Sequence, residues 1–302
     1  MFENSGLDSI IWHEPMKVNV MTDLLQYQPI WPNSPEGGWH VVHVLKITTT
    51  RSCWMRCRFC DFSHFVPMID GHPVPPLTLL QTSRTHPALS QAYDLIKVRG
   101  GLSFFEPWSY FRSAIRDIHE RNPASLQALS AVEVLHFHRV EQKPLQELLE
   151  ELRWAGASSL GPGGSELLID PWRQEMSSLR LTSQEWLGIH QIAERVGLKA
   201  GASLMVFPGI TERQILDHIQ MIRNLKSLSV IEIKPLRALG TDLEILGSPH
   251  LFEVLATIQV IRKNLPHVIV AMNIDHLSGD VCDLLQWHGV SRAMATKEVL
   301  EP

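Results

Sequence analysis

Cysteine is scarce in this chain, with four in 302 residues. That is too few for a fold stapled by disulfides, and such scaffolds are normally short and secreted. Long apolar runs are also missing, so no stretch suits a membrane-spanning helix. The opening residues, Met1 to Ser5, lack the basic-then-apolar order of a secretion signal. Positive charge is not in excess. The 27 Lys and Arg stand against 32 Asp and Glu, a net charge of −5, which argues against broad nucleic-acid binding. Internal repeats and low-complexity tracts are absent, and no Gly-Lys-Ser/Thr follows the glycine-rich stretch Gly161 to Glu166, so a phosphate-cradling P-loop is excluded. What remains is a chain with 44% hydrophobic residues. It is expected to be cytoplasmic, with no membrane and no nucleic acid among its partners, and its length suits one large α/β barrel or two modest domains.

The few cysteines are not scattered. Cys53-Trp-Met-Arg-Cys57-Arg-Phe-Cys60 puts three of them on one short loop, spaced C-x3-C-x2-C, just after the apolar run Val41 to Ile47. Core packing does not ask for three thiols together, whereas a metal centre or redox device does. The count is informative. Structural zinc takes four ligands, and an electron-transfer iron–sulfur cluster usually takes four cysteines. Three thiolates on a four-iron cluster leave one iron open to a further ligand. The alternative is a structural zinc site of Cys53, Cys57, Cys60 and His64, in a protein without catalysis. Cys282, far away in an expected helix, reads as a core or incidental thiol.

Residues 1–39 show little periodicity and read as an irregular lead-in on the outside of the fold. From His40 the pattern becomes that of alternating strands and helices. Strands are expected at 41–47, 94–98, 129–137, 158–160, 200–207, 230–233, 268–272 and 291–294. Between them lie helices from Pro107, with Trp108, Phe111, Ile115 and Ile118 on one face, and over Pro144–Trp154, closed by Gly156. A third opens with the capping box Thr182-x-x-Glu185, and others cover 211–225, 251–264 and 281–287. Residues 66–90 carry five prolines and read as a loop or lid with at most a short helix near Leu77. The sum is α/β: a (β/α)8 TIM-type barrel over residues 40–302 as a single domain, or a partial barrel with a six-unit core.

Chemistry in such a barrel gathers at the C-terminal ends of the strands. Those ends hold the cysteines, Gly100-Gly101, the Gly163–Glu166 loop, Pro208-Gly209 and Lys234-Pro235. Glu133 and His136 are expected along the third strand. Glu166 could take a proton or bind a hydroxyl or amine, or be a solvated loop carboxylate. His136 and His138 would share a strand face, which leaves a metal hydrolase as a further alternative.

The cysteine spacing, with Phe59 directly before the third Cys, resembles the signature of the radical S-adenosylmethionine (SAM) enzymes. Further stretches are similar in order and spacing to one branch of that family: Ala131-Val-Glu133-Val, Leu152 to Leu160 leading into Pro162-Gly-Gly-Ser-Glu166, Glu185-Trp-Leu187, and Asp217-His218. The branch comprises aminofutalosine synthase, dehypoxanthine futalosine cyclase and the deazaflavin (FO) synthase subunits, of menaquinone or deazaflavin-type cofactor biosynthesis. The resemblance implies a [4Fe–4S] cluster on Cys53, Cys57 and Cys60 that reductively cleaves SAM to a 5′-deoxyadenosyl radical. It implies cofactor contacts at Phe59, Gly100, Gly101, Glu133 and Arg173, and catalytic roles for Glu166, Glu133 and His136. The substrate would be a small aromatic or nucleoside-like molecule, the reaction of transferase, lyase or cyclase type, and the electron donor a reductant such as flavodoxin or ferredoxin. The chain departs from the branch at the fifth strand, where Phe207-Pro208 and Ile210 replace a Gly-His and Glu pattern. The Arg-rich stretch after the Glu166 loop is reduced to Arg173 and Arg180.

Overall fold

The computed structural model describes residues 40–49, 53–61, 68–69, 72–73, 83–102 and 107–300. The expected N-terminal lead-in, the helix near Leu77 and His64 lie outside the described residues. Eight parallel strands form one sheet: β1 (His40–Thr48), β2 (Leu95–Arg99), β3 (Ser125–Ser130), β4 (Ser159–Gly161), β5 (Ala202–Val206), β6 (Val230–Pro235), β7 (Ile269–Asn273) and β8 (Arg292–Leu300). Their order is β4-β3-β2-β1-β8-β7-β6-β5, the unrolled order of an eight-unit barrel. Strand β1 pairs with β8 along all nine residues, from His40↔Arg292 to Thr48↔Leu300. The remaining seam, between β4 and β5, is stitched by a parallel bridge Ser159↔Lys199 and by Leu160 N–H to Lys199 O and Lys199 N–H to Ser158 O, both 3.0 Å. The expected eight-unit barrel is what the chain forms, rather than a six-unit core.

The helices are α1 (Trp108–Arg121), α2 (Ala131–Glu141), α3 (Leu145–Trp154), α4 (Asp170–Met176), α5 (Ser183–Arg195), α6 (Glu212–Ile222), α7 (Leu251–Asn264) and α8 (Gly279–Trp287). Their apolar stripes cover the outside of the barrel. Trp108, Phe111, Ile115 and Ile118 of α1, Leu148, Leu149 and Leu152 of α3, and Ile215, Ile219 and Ile222 of α6 are all buried, as the helical period requires. The Thr182–Glu185 capping box closes the N-terminus of α5.

One element differs from the sequence expectation. Residues 129–137 are not a strand: β3 ends at Ser130 and α2 begins at Ala131. Leu129 turns the chain there in a left-handed conformation, φ 57°. A register shift against β4 falls at the same place, and strain of this kind tends to sit at functional sites. Glu133 therefore occupies the first turn of a helix, with its carboxylate folded back on Ser130. His136 and His138, two apart on a helix, do not share a face, which removes the His-x-His metal pair. Helix α4, unanticipated in the sequence, fills the connection after Glu166.

Inside the barrel, the alternation of the strands sorts residues by depth. The floor is apolar: Val42, Val44, Ala271 and Met294 cluster there with Leu95 and Val230. One pleat higher toward the C-terminal ends, β2 and β6 carry Lys97 and Glu232, whose side chains meet across the barrel at 2.5 Å. A further pleat up stand Arg99 and Lys234. The barrel thus has a dry bottom and a charged upper chamber.

Two consequences are measurable. Gly201, at the seam, would bring a Cβ to 2.4 Å from the Leu160 carbonyl oxygen. Gly201→Ala should lower unfolding stability by about 1–3 kcal/mol, as overpacking does, read as a reduced urea midpoint at unchanged slope. His190 on α5 is buried against Trp186 at 4.1 Å, and neither of its ring nitrogens finds a hydrogen-bond partner. Burial pushes its pKa down to about 3 from an ordinary 6.5. The unfolded chain then binds a proton that the folded chain refuses, so this residue costs stability as pH falls below 6.5 toward 3. His190→Leu should make unfolding less acid-sensitive, by up to about 1.4 kcal/mol per pH unit in that window, checked by denaturation at a series of pH values.

Candidate active site

The cysteine loop emerges from the C-terminal end of β1, at the open mouth of the barrel. It is held by backbone rather than by chance packing. Arg58 N–H donates to Met176 O at 2.9 Å, Asp242 N–H donates to Arg58 O at 3.0 Å, and Cys60 N–H closes a turn on Cys57 O at 3.0 Å. The Ser177 hydroxyl donates to Met55 O at 2.7 Å. The C-terminus of α4 and the loop after β6 thus clamp the loop from two sides. Trp54 lies 6.0 Å from the buried His136 ring on α2. His136 is therefore part of the wall behind the cysteine loop.

Cys53, Cys57 and Cys60 are partly buried and free of disulfides. Burial pushes the Cys57 thiol up to about 11, and Arg180 opposes that rise. Arg180 Nη1 donates to Cys57 Sγ at 3.1 Å. Its Nη2 pairs with the Glu166 carboxylate, and its guanidinium carbon lies 5.1 Å from the Phe59 ring centre. One buried cation therefore joins a cysteine, the aromatic before the third cysteine and the acid of the glycine loop. Among the described residues no set of three or more His, Cys, Asp or Glu side chains converges as a cage for a single metal ion. A cluster asks for something else, since each cysteine binds a different iron and the sulfurs need not converge on one point. Three thiols on a clamped loop, with an N–H donor on one sulfur, fit that group; such donors tune cluster sulfurs.

The Gly161–Glu166 loop packs on the bend between β3 and α2. Gly164 has φ +87°, and a Cβ there would meet Val132 at 2.5 Å, so glycine is required for both reasons. Arg173 secures this loop. It is 1% exposed and donates to the carbonyls of Gly164, Leu167 and Leu181. Those bonds occupy all three of its guanidinium nitrogens in holding protein backbone. Burial disfavours ionised Glu166, but Arg180, Lys234 and Arg173 outweigh it and hold the carboxyl down at about 2. Glu166 is a permanent anion, and Gly164 N–H donates to its Oε1 at 3.2 Å.

Glu133 ties β2 to α2. Its Oε1 accepts from Gly100 N–H at 3.0 Å, and its Oε2 accepts from Ser130 N–H and the Ser130 hydroxyl, both at 2.7 Å. Burial raises its carboxyl to about 7 against the pull of those bonds. Beside it, a cavity of about 90 Å³ is lined by Lys97, Arg99, Gly100, Gln127, Glu133 and Gly163 among others. Elsewhere at the mouth, Phe59 stacks on Trp172 (5.8 Å, 18°) and Trp172 on Phe207 (5.9 Å, 15°).

The fold thus gathers Cys57, Phe59, Glu166 and Arg180 by direct contact, and Gly100 with Glu133. His138 is set apart, its Nδ1 2.7 Å from Lys143 O. The role of Arg180, the aromatic stack and the charged chamber were not foreseen. The chamber did leave a signal: Lys97-x-Arg99 and Glu232-x-Lys234 each put two charges on one face of a strand otherwise rich in Val and Ile.

No protein-family model matches the chain. Known proteins do. Over 190 residues, 62% of this chain and 50% of the relative, it is 25% identical to an aminodeoxyfutalosine synthase of Thermus thermophilus. A cyclic dehypoxanthine futalosine synthase of Halalkalibacterium halodurans is 25% identical over 59% of this chain and 48% of the relative. A 5-amino-6-(D-ribitylamino)uracil–L-tyrosine 4-hydroxyphenyl transferase of Methanopyrus kandleri is 24% identical over 63% and 52%. The chain spans about half the length of these curated relatives. In fold it is similar to methylornithine synthase, with a TM-score of 0.64 at 14% identity over 87% of this chain and 73% of that one. The resemblance drawn from the cysteine loop and the later stretches thus agrees with these likenesses: in sequence the chain is similar to two synthases of futalosine compounds and to a 4-hydroxyphenyl transferase.

Proposed function

We propose that the chain is a radical SAM enzyme in which Cys53, Cys57 and Cys60 hold a [4Fe–4S] cluster and leave one iron for SAM. The observation that carries this reading is the clamped three-thiol loop at the C-terminal end of β1, with the buried Arg180 guanidinium on Cys57. When bound, the cluster and SAM supply a 5′-deoxyadenosyl radical. The substrate is a small aromatic or nucleoside-like molecule held in the upper barrel, in cofactor biosynthesis of the menaquinone or deazaflavin type. The electron comes from a soluble reductant such as flavodoxin or ferredoxin.

The chain's own residues divide the remaining work. Gly100 N–H is already given to Glu133, so an ammonium group, which only donates, would be received there by the carbonyl oxygen. Glu133 is then a positioning residue that fixes the turn. Glu166, ionised and oriented by Arg180 and Gly164 N–H, can accept a hydrogen bond from a ligand hydroxyl or amine. Arg173 positions the loop that carries Glu166, and His136 braces Trp54. Phe59, steadied by Trp172 and Arg180, offers an aromatic wall to the adenine side.

Anaerobic reconstitution with iron and sulfide should give a brown protein whose reduced EPR signal changes on addition of SAM, with 5′-deoxyadenosine formed under reducing conditions. Cys53→Ser, Cys57→Ser and Cys60→Ser should each abolish the signal. A colourless protein with stoichiometric zinc, or an EPR signal indifferent to SAM, would overturn the reading. A second measurement tests the electrostatics. Removing a cation next to the cluster disfavours adding an electron, and removing an anion favours it. Arg180→Gln should lower the cluster's reduction potential and Glu166→Gln should raise it; about 1.4 kcal/mol corresponds to about 60 mV for one electron. Shifts of the same sign in both variants would show that the pair acts through structure instead.

A further inference from the structure

Five cationic side chains face the upper chamber or its rim: Lys46, Lys97, Arg99, Arg180 and Lys234. Three have carboxylate partners. Lys46 meets Glu298 and Lys97 meets Glu232, both at 2.5 Å, and Arg180 meets Glu166. The side chains of Arg99 and Lys234 make no hydrogen bond and no ion pair among the described residues. Of the other acids nearby, Glu133 has both oxygens committed to Gly100 and Ser130, and Asp61 acts on Lys46.

Each unmatched cation stands one pleat above a member of the Lys97–Glu232 pair. Arg99 is level with Thr48 on β1, one pleat above the Lys97↔Lys46 pair. Lys234 is level with Met205 on β5, one pleat above Glu232. Arg99 lines the cavity beside Glu133, and its charge reaches Lys46, Lys97, Lys234, Glu232 and Glu298. It therefore lies near the centre of the chamber. Burial, opposed by Glu232 and Glu166 and helped by Arg99, brings Lys234 down to about 8. Withdrawing charges from bulk water is costly unless something pairs with them. A fold that matches three cations and leaves two facing the same space has room for a negative partner from outside.

We infer that Arg99 and Lys234 form an oxyanion subsite in the upper barrel, which receives a carboxylate or phosphate group carried by the substrate. The inference rests on the barrel interior being the substrate chamber, and it narrows the substrate to a small anionic molecule. Arg99 supplies a planar fork that suits either oxyanion, and Lys234 a point charge from the facing strand.

The test is calorimetric titration of the reconstituted protein with benzoate, with inorganic phosphate and with SAM. One of the two oxyanions should bind saturably, and which one does so tells carboxylate from phosphate. Arg99→Gln and Lys234→Gln should each weaken that binding about tenfold or more, while SAM affinity stays within about threefold. Arg99→Lys, which keeps the charge, should restore part of the affinity and guards against a misfolded Gln variant. The inference is overturned if neither oxyanion binds, or if both Gln variants bind as the parent does. It is equally overturned if SAM affinity falls tenfold while oxyanion affinity is untouched, because the cations then serve the cofactor's carboxylate. The same titration on the cluster-free full chain needs no iron, so failure of the subsite and failure of the cluster reading give different results.

Discussion

The site depends on one buried guanidinium. Arg180 touches the Cys57 sulfur, the Glu166 carboxylate and the Phe59 ring, and these belong to loops after β1 and β4 that are far apart in the chain. A carboxylate this buried would not stay ionised unaided, and a thiol this buried would resist losing its proton. Arg180 holds the carboxylate ionised and opposes the rise of the thiol. It also explains the tether work around it. Arg173 on three backbone carbonyls, Ser177 on Met55 and Met176 on Arg58 hold the two loops where a single fork can reach both. Because removing one partner of a buried pair strands the other, these residues act as a unit.

The barrel interior extends the same economy. Its floor of Val42, Val44, Leu95, Val230, Ala271 and Met294 is packed and dry, which shields the charges above from water below. The Lys97–Glu232 pair closes the chamber over that floor, with Lys97 also 3.3 Å from the Met294 sulfur. A pair in such a place adds little net stability over a well-packed apolar one. Its presence is better understood through the chamber it lines: it fixes the charge and shape of the space into which Arg99 and Lys234 project.

Much of this was legible in the sequence because it follows from period. Parallel strands buried on both faces read as Val and Ile runs, and the helices as stripes at 3.6, so the eight-unit barrel and the helix faces could be written from pattern alone. The error at 129–137 has a plain cause. Leu-Ser-Ala-Val-Glu-Val-Leu-His-Phe has the apolar, β-branched content of a buried strand, yet Ser130 and Glu133 also form a capping box, and Val134, Leu135 and Phe137 are buried as well in a helix. The cap outweighed the content. Arg180 was not legible, since its meaning lies in contacts with residues 14 and 123 positions away, and a lone arginine in a loop carries no period. The inward charges were legible in principle: alternation places Lys97 with Arg99 and Glu232 with Lys234.

The departure of the fifth strand from the branch pattern and the aromatic stack are one feature. Where the branch pattern would place Gly-His, this chain has Phe207, the residue directly after β5. That ring stacks on Trp172 of the additional helix α4, which stacks in turn on Phe59 beside the third cysteine. Phe207 is thus the end of an apolar wall at the rim. Lys234 on β6, the neighbour of β5, and Arg99 on the facing strand β2 bring their unmatched charges into the same chamber. With the barrel interior as the proposed substrate chamber, aromatic rings at its mouth and two cations within it suit a molecule with an apolar ring and an acidic group.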